Sequence, residues 1–290
     1  MTVVAVAGGS ASIGRTIVDE ILSQGKFEVI ILARKADEES EERLGARVIV
    51  TDYSKVDELV QLLETNNVHT VISALGPMSL ESEQALIQAA DISASTKRFI
   101  ASVWGIKYRP DQEWFPPAVP KLAAVTALEK TNLEWTTILN GFFLDYWAAA
   151  KAAIPGSGST LAVFTYSGDV AKYTAAALTL GKWEKESYVI GSKISWNDFV
   201  KIAEEVRGMK FDVTYDTLDI LRSGKITELP GHVPAYPFFP KEALQGMFAT
   251  FGVLFDEGQF DFPTENSLNS LFPEIKPMSI KEMVEIGWKN

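Results

Sequence analysis

The chain has 290 residues, room for one large α/β domain with an appended lobe, and its 47% apolar and 22% charged content implies a sizeable buried core. With 38 acidic against 27 basic side chains, the formal net charge of −11 argues against nucleic acid and anionic membrane surfaces as partners, while a local basic pocket stays possible. There is no cysteine, which excludes disulfides, thiolate nucleophiles and Cys-ligated metals; His69 and His232 alone do not make a metal motif.

The N-terminus lacks a basic segment followed by an apolar core. The most apolar long stretch, 135–154, is interrupted by Asn140, Gly141, Asp145 and Lys151 and does not read as a membrane span. The expectation is a soluble, cytoplasmic protein.

In chain order, residues 3–7 read as a short apolar strand and 8–12 as a turn. Ile13, Ile17, Ile21 and Leu22 then recur at helical spacing until Gly25 stops the helix. The run 27–33 is almost continuously apolar, as for a parallel strand buried on both faces. A third strand at 48–50 precedes a helix over 56–63, whose stripe is Val56, Leu59, Val60 and Leu63. A strand at 70–74, a helix at 82–90 and a fifth strand at 99–102 follow. Pro110, Pro116, Pro117 and Pro120 mark a long loop, then a helix from about 121 to 131 and a strand at 135–139. Ser195 to Asp198 has the form of a capping box opening a helix that ends near Gly208. Residues 223–274, rich in Pro, Gly and aromatics, read as an irregular lobe with short helices, and Ser279 to Glu282 caps a last helix.

This alternation predicts an α/β fold: a Rossmann-type doubly wound parallel sheet with a smaller, mainly C-terminal substrate lobe. The expected division is 1–155 for the sheet domain, with segments around 160–195 returning to it, and 196–290 mainly for the lobe.

Gly8, Gly9, Ser10, Ala11, Ser12, Ile13 and Gly14 lie directly after a strand and open a helix, the context a dinucleotide fingerprint requires. Gly8 permits the tight turn and Gly14 close packing of helix on sheet, so the helix N-terminus faces a pyrophosphate. Ala11 stands where a middle glycine is usual, and it is tolerated if its φ is negative. Strand two ends at Arg34 and Lys35 with no acid at its tip, which favours NADPH over NADH because a 2′-phosphate needs cationic donors. The alternative is that both cations solvate a loop and balance the acidic run 37–42, which itself reads as a screened, exposed segment. Other strand tips offer Asp52 and Tyr53 toward the adenine, Ala74, Leu75 and Gly76 toward the nicotinamide ribose, and Ser102 and Trp104 at the crevice; for Tyr53 and Trp104 packing is the competing role.

These motifs resemble the isoflavone reductase-like, or NmrA-like, group of atypical short-chain dehydrogenases, which includes phenylcoumaran benzylic ether and pinoresinol reductases. The glycine turn, Ala33-Arg34, the run from Lys97 to Gly105 and the segment from Lys121 to Trp147 carry the likeness. Val213 to Asp219 and Gly224 to Pro230 resemble fungal members in particular. The resemblance implies NADPH-dependent reduction of a small aromatic, phenolic or quinone-like metabolite. It also implies one lysine, eight residues before a Glu on the helix after the proline-rich loop, acting as general acid/base or orienting the nicotinamide ribose; Lys121 and Glu129 keep that interval. The family's carboxylate after strand five is replaced by Val103.

No tyrosine is followed four residues later by lysine, so the usual Tyr-x-x-x-Lys mechanism has no support. Read without the resemblance, Lys121 is either a partly desolvated base beside prolines or a solvated lysine at a helix start. A substrate pocket would draw on Trp104, Phe142, Phe143, Trp147, Phe164, Phe239 and Phe251, with hydrophobic core as the alternative for each. A second reading is an NADP(H)-sensing regulator without catalysis. The expected assembly is a monomer or homodimer.

Overall fold

The apolar runs of the first hundred residues become parallel strands in the computed structural model, which describes residues 1–36, 39–76, 79–144 and 151–287. Strands β1 (Thr2–Ala7), β2 (Phe27–Ala33), β3 (Arg47–Val50), β4 (Val68–Ser73), β5 (Arg98–Ile100) and β6 (Glu134–Leu139) join β10 (Glu186–Tyr188) in one seven-stranded sheet. The spatial order is β3-β2-β1-β4-β5-β6-β10, every pairing being parallel. Buried from Val3 to Ala7 and from Val29 to Leu32, β1 and β2 match their unbroken apolar sequences.

Helices α1 (Ser12–Gln24), α2 (Ser40–Leu44), α3 (Val56–Thr65), α4 (Leu80–Ile92) and α5 (Ala118–Leu128) link these strands. Because such crossovers are right-handed, the reversal of strand order between β1 and β4 puts α1 on one face and α3, α4 and α5 on the other. Accordingly α1 packs with α6 (Ser167–Ala177), α3 with α4, and α4 with α5. Helix α1 buries Gly14, Ile17, Val18 and Ile21 and stops at Gly25, whose φ of 62° is left-handed.

The chain divides into two units. One comprises residues 1–139, 167–189 and 268–275; the other comprises the described parts of 140–166, 190–267 and 276–290. The second unit holds a three-stranded sheet, in which β9 (Leu161–Thr165) pairs parallel with β7 (Phe142–Phe143) and antiparallel with β11 (Ser192–Ser195). In the same unit β8 (Lys151–Pro155) pairs parallel with β12 (Asp212–Asp216). Helices α7 (Trp196–Arg207), α8 (Leu218–Arg222), α9 (Lys241–Asp256) and α11 (Ile280–Gly287) complete it, while α10 (Leu268–Leu271) belongs to the first unit.

Several boundaries differ from expectation. Residues 140–144 and 151–155 group with the second unit, because β7 and β8 find their partners there, and 268–275 return to the first. Helix α5 begins at Ala118 rather than 121: Pro120 sits in its first turn, where no intrahelical N–H is required. The supposedly irregular 223–274 contains α9, a 16-residue helix entered from Pro240, with Leu244, Ala249, Gly252, Leu254 and Phe255 buried. Part of the acidic run is helical, forming α2, while Glu39, Glu41 and Glu42 are exposed as expected.

Candidate functional site: a dinucleotide crevice

The glycine turn is held by backbone hydrogen bonds at the reversal point of the sheet. Gly8 N–H donates to the Leu32 carbonyl (3.3 Å), and Ala74 N–H donates to the Ala7 carbonyl (2.8 Å). Gly8 has a φ of 78°, and a Cβ on Gly8 or Gly14 would collide with backbone, with Ala74 for the first and Gly8 for the second. Ala11 is exposed and extended, with φ −151°, so the missing middle glycine imposes no conformational cost. Ser12 takes the left-handed φ of 49°, unusual for a residue with a side chain. No side chain caps α1 and its first turn carries no acid, so this 13-residue helix presents its N-terminal dipole to the crevice, as a pyrophosphate requires. Ser10 is exposed, Gly9 buried and Ile13 half-buried.

Arg34 and Lys35 are exposed at the end of β2. Lys35 lines a cavity of about 450 Å³ together with Ser10 and Arg43. Arg43, on α2, escaped the sequence reading because it closes an acidic run read as an exposed segment; only the helical turn brings it to the cavity wall. Asp52 is engaged locally, accepting from Ser54 N–H (2.9 Å) and Ser54 Oγ (2.7 Å), bonds that hold its carboxyl below the usual range. Tyr53 is buried and donates to the Leu32 carbonyl (3.1 Å); burial pushes its phenol well up, the signature of packing.

The tips of β4 and β5 are tied by a residue that the sequence reading passed over. Glu83 on α4 is only 4% exposed, and burial raises its carboxyl above the usual range. Its carboxyl accepts from Ser73 Oγ and from Ser102 N–H (3.0 Å). Ser102 Oγ donates to the Leu75 carbonyl (2.8 Å). Its sequence signal was positional: Glu83, Leu86, Ile87 and Ala90 share one buried helical stripe.

Trp104 is buried, its Nε1 donating to the Ser73 carbonyl (3.1 Å). Its own carbonyl accepts a hydrogen bond from Lys121 Nζ. Lys121 as a whole is half-buried, yet desolvation of its ammonium lowers its pKa to about 8. The Lys121 ammonium lies 5.6 Å from the centre of the Tyr108 ring. Both line a cavity of about 290 Å³ that also includes Val103. Tyr108 is buried, and burial raises its phenol pKa. The fold thus brings a tyrosine and a lysine together without the Tyr-x-x-x-Lys spacing.

In the second unit, Phe142 and Phe251 line a cavity of about 360 Å³ with Trp196, Phe248, Phe255 and His232. Phe164 is fully buried beside Trp196 (4.8 Å between ring centres) and Phe199 (5.4 Å), so it packs the core rather than walling a cavity. Phe143 is half-buried in β7, Phe239 is 40% exposed, and Trp147 lies outside the described residues. His232 Nδ1 accepts from Leu229 N–H (3.1 Å), and its ring stacks on Phe248.

Glycine turn, uncapped helix and strand reversal together define an α/β protein of the dinucleotide-binding class. Residues 8–180 match the family described as NAD(P)H-binding. An oxidoreductase, BOA1, from Botryotinia fuckeliana is 34% identical over 96% of both chains, and the oxidoreductase swnN of Metarhizium robertsii is 29% identical over 99% of this chain and 98% of its own. The structure of the leucoanthocyanidin reductase–NADPH complex from Vitis vinifera superposes with a TM-score of 0.80 at 19% identity, covering 99% of this chain and 100% of that one. The chain therefore belongs to the NAD(P)H-binding family, in the oxidoreductase superfamily that includes isoflavone reductase-like and pinoresinol reductase proteins.

Proposed function

We propose that the protein is an NADPH-dependent reductase of a small aromatic, phenolic or quinone-like metabolite, with Lys121 as its catalytic residue. The observation that carries this reading is the desolvated Lys121 ammonium, with a pKa near 8, held on the Trp104 carbonyl beside Tyr108. A group that titrates near the working pH exchanges protons efficiently. It also favours an enzyme over a sensor, since a sensor has no use for a proton donor of that kind.

Bound NADPH would supply the hydride. The turn from Gly8 to Gly14 would hold the pyrophosphate, and Arg34, Lys35 and Arg43 the 2′-phosphate, by charge-assisted hydrogen bonds. Asp52 would flank the adenine, and Ala74, Leu75, Gly76 and Ser102 the nicotinamide ribose. Lys121 would deliver the proton to the reduced substrate or orient that ribose. A flat, apolar substrate is supported by the aromatic cavity around Phe142 and Phe251. Support for NADPH comes from the complex named for the Vitis vinifera reductase, and support for a fungal-type member from the identities with the two fungal oxidoreductases.

The test is NADPH oxidation by purified protein across a panel of quinones, lignans and isoflavonoids. Turnover should fall at least ~100-fold in Lys121→Ala and should decline as pH rises through about 8, where the ammonium is lost. NADPH preference should weaken in Arg34→Ala. Full turnover in Lys121→Ala would remove the lysine from the mechanism.

A further inference from the structure

The nicotinamide half of the crevice needs strand ends held in line with each other. In a doubly wound sheet the strands from β4 onward form the second mononucleotide half, so the tips of β4 and β5 flank the nicotinamide. Both tips converge on one buried side chain. Glu83 accepts from Ser73 Oγ at the end of β4 and from Ser102 N–H (3.0 Å) just beyond β5. From these two contacts the network runs outward in both directions. Ser102 Oγ donates to the Leu75 carbonyl (2.8 Å), fixing the 74–76 segment. The Ser73 carbonyl accepts from Trp104 Nε1 (3.1 Å), and the Trp104 carbonyl accepts from Lys121 Nζ.

Resting on the cofactor reading, we infer that Glu83 is a positioning residue for the nicotinamide half of the site, holding the 74–76 segment and, through Ser73 and Trp104, the carbonyl that receives Lys121. Glu83 does not need to touch the cofactor. It acts because its two oxygens join strand ends that share no ladder bond at those positions, and a buried donor left without its acceptor would otherwise drive the segment to rearrange. The upward displacement of its carboxyl pKa by burial fits a group that works by hydrogen bonding rather than by charge. Glutamine has the same shape: its Oε1 can accept from Ser102 N–H while its Nε2 donates to Ser73 Oγ.

Calorimetric titration with two probes separates the possibilities: NADPH, and 2′-phospho-ADP-ribose, which lacks the nicotinamide. In Glu83→Ala, NADPH affinity should drop by about tenfold, the loss of one to two buried hydrogen bonds. Affinity for 2′-phospho-ADP-ribose should stay within about twofold of wild type, since the adenosine half is untouched. Glu83→Gln should restore NADPH binding. If Glu83→Ala does not fold, Ser73→Ala, which removes only the hydroxyl that donates to Glu83, should give the same selective loss at smaller size. Equal weakening of both probes, no weakening of either, or a glutamine variant as poor as alanine would each overturn the inference. Failure of wild-type protein to bind either probe would instead overturn the cofactor reading itself.

Discussion

The burial of Lys121, the catalytic residue proposed above, has a cost in stability that depends on pH. Its pKa falls from the ordinary 10.5 to about 8 because the folded protein holds the ammonium out of water. Between those two values the unfolded chain binds more protons than the folded one, so stability rises with pH across that window; below about 8 the full cost of the charge is present. The displacement corresponds to about 3 kcal/mol at most, reduced in practice because part of the side chain meets solvent. Lys121→Met should therefore unfold at a higher temperature than wild type at pH 7, with the difference closing by about pH 10.5. A variant less stable at pH 7 would mean that the Trp104 carbonyl more than offsets desolvation. The same residue had two readings in the sequence, because a lysine beside prolines looks alike whether solvated or buried. Burial of the ammonium is set by Tyr108, thirteen residues away, and by the carbonyl it meets.

At the scale of elements, the first strand, turn and helix were legible almost to the residue. Their signals are local: an apolar run, two glycines and a helical stripe that ends at Gly25. The structural demand differs sharply among the glycines. A Cβ on Gly14 would press into the Gly8 carbonyl and against Ala74, whereas one on Gly76 would meet nothing within 4 Å. Gly14→Ala should cost about 1–3 kcal/mol through overpacking and should abolish NADPH binding; Gly76→Ala should leave the urea midpoint within error of wild type. Equal costs for the two would mean that helix α1 can shift away from the sheet. Capping was equally legible. Ser195 Oγ accepts from Asp198 N–H (3.1 Å) at the start of α7, and Ser279 and Glu282 cap α11 reciprocally. By contrast, α9 was missed, since Pro, Gly and aromatics read as loop while its buried face is recognised only when packed against α8 and β8.

For the whole molecule, the point of interest is that the chain leaves the sheet unit after 139, re-enters it at 167–189, and comes back again at 268–275. The last return is anchored by Tyr173 on α6. Its hydroxyl donates to the Ile275 carbonyl (2.8 Å) and accepts from Asn269 Nδ2 (2.9 Å), with the ring fully buried. Tyr173→Phe should lower the stability of the sheet unit by about 1–2 kcal/mol, read as a shift in urea midpoint at unchanged slope. A change in slope would indicate that the 268–275 segment detaches before the sheet unfolds. Among the described residues no helix is long and apolar enough to cross a membrane.

What the sequence determined by itself is what local order encodes. Apolar runs without polar interruption specify buried parallel strands, and the glycine pair before α1 specifies the tight turn into that helix. The absence of an acid after β2 specifies the charge at its tip. Each follows from the backbone and side-chain preferences of neighbouring residues. Tertiary structure alone decided the rest. It paired β8 with β12 at a separation of 61 residues, turned Arg43 to the cavity of Lys35, set Tyr108 beside Lys121 and closed Glu83 onto two strand ends. Those outcomes depend on which distant group fills the space or accepts the hydrogen bond, and burial changes the chemistry of a carboxyl or an ammonium only once that neighbour is in place.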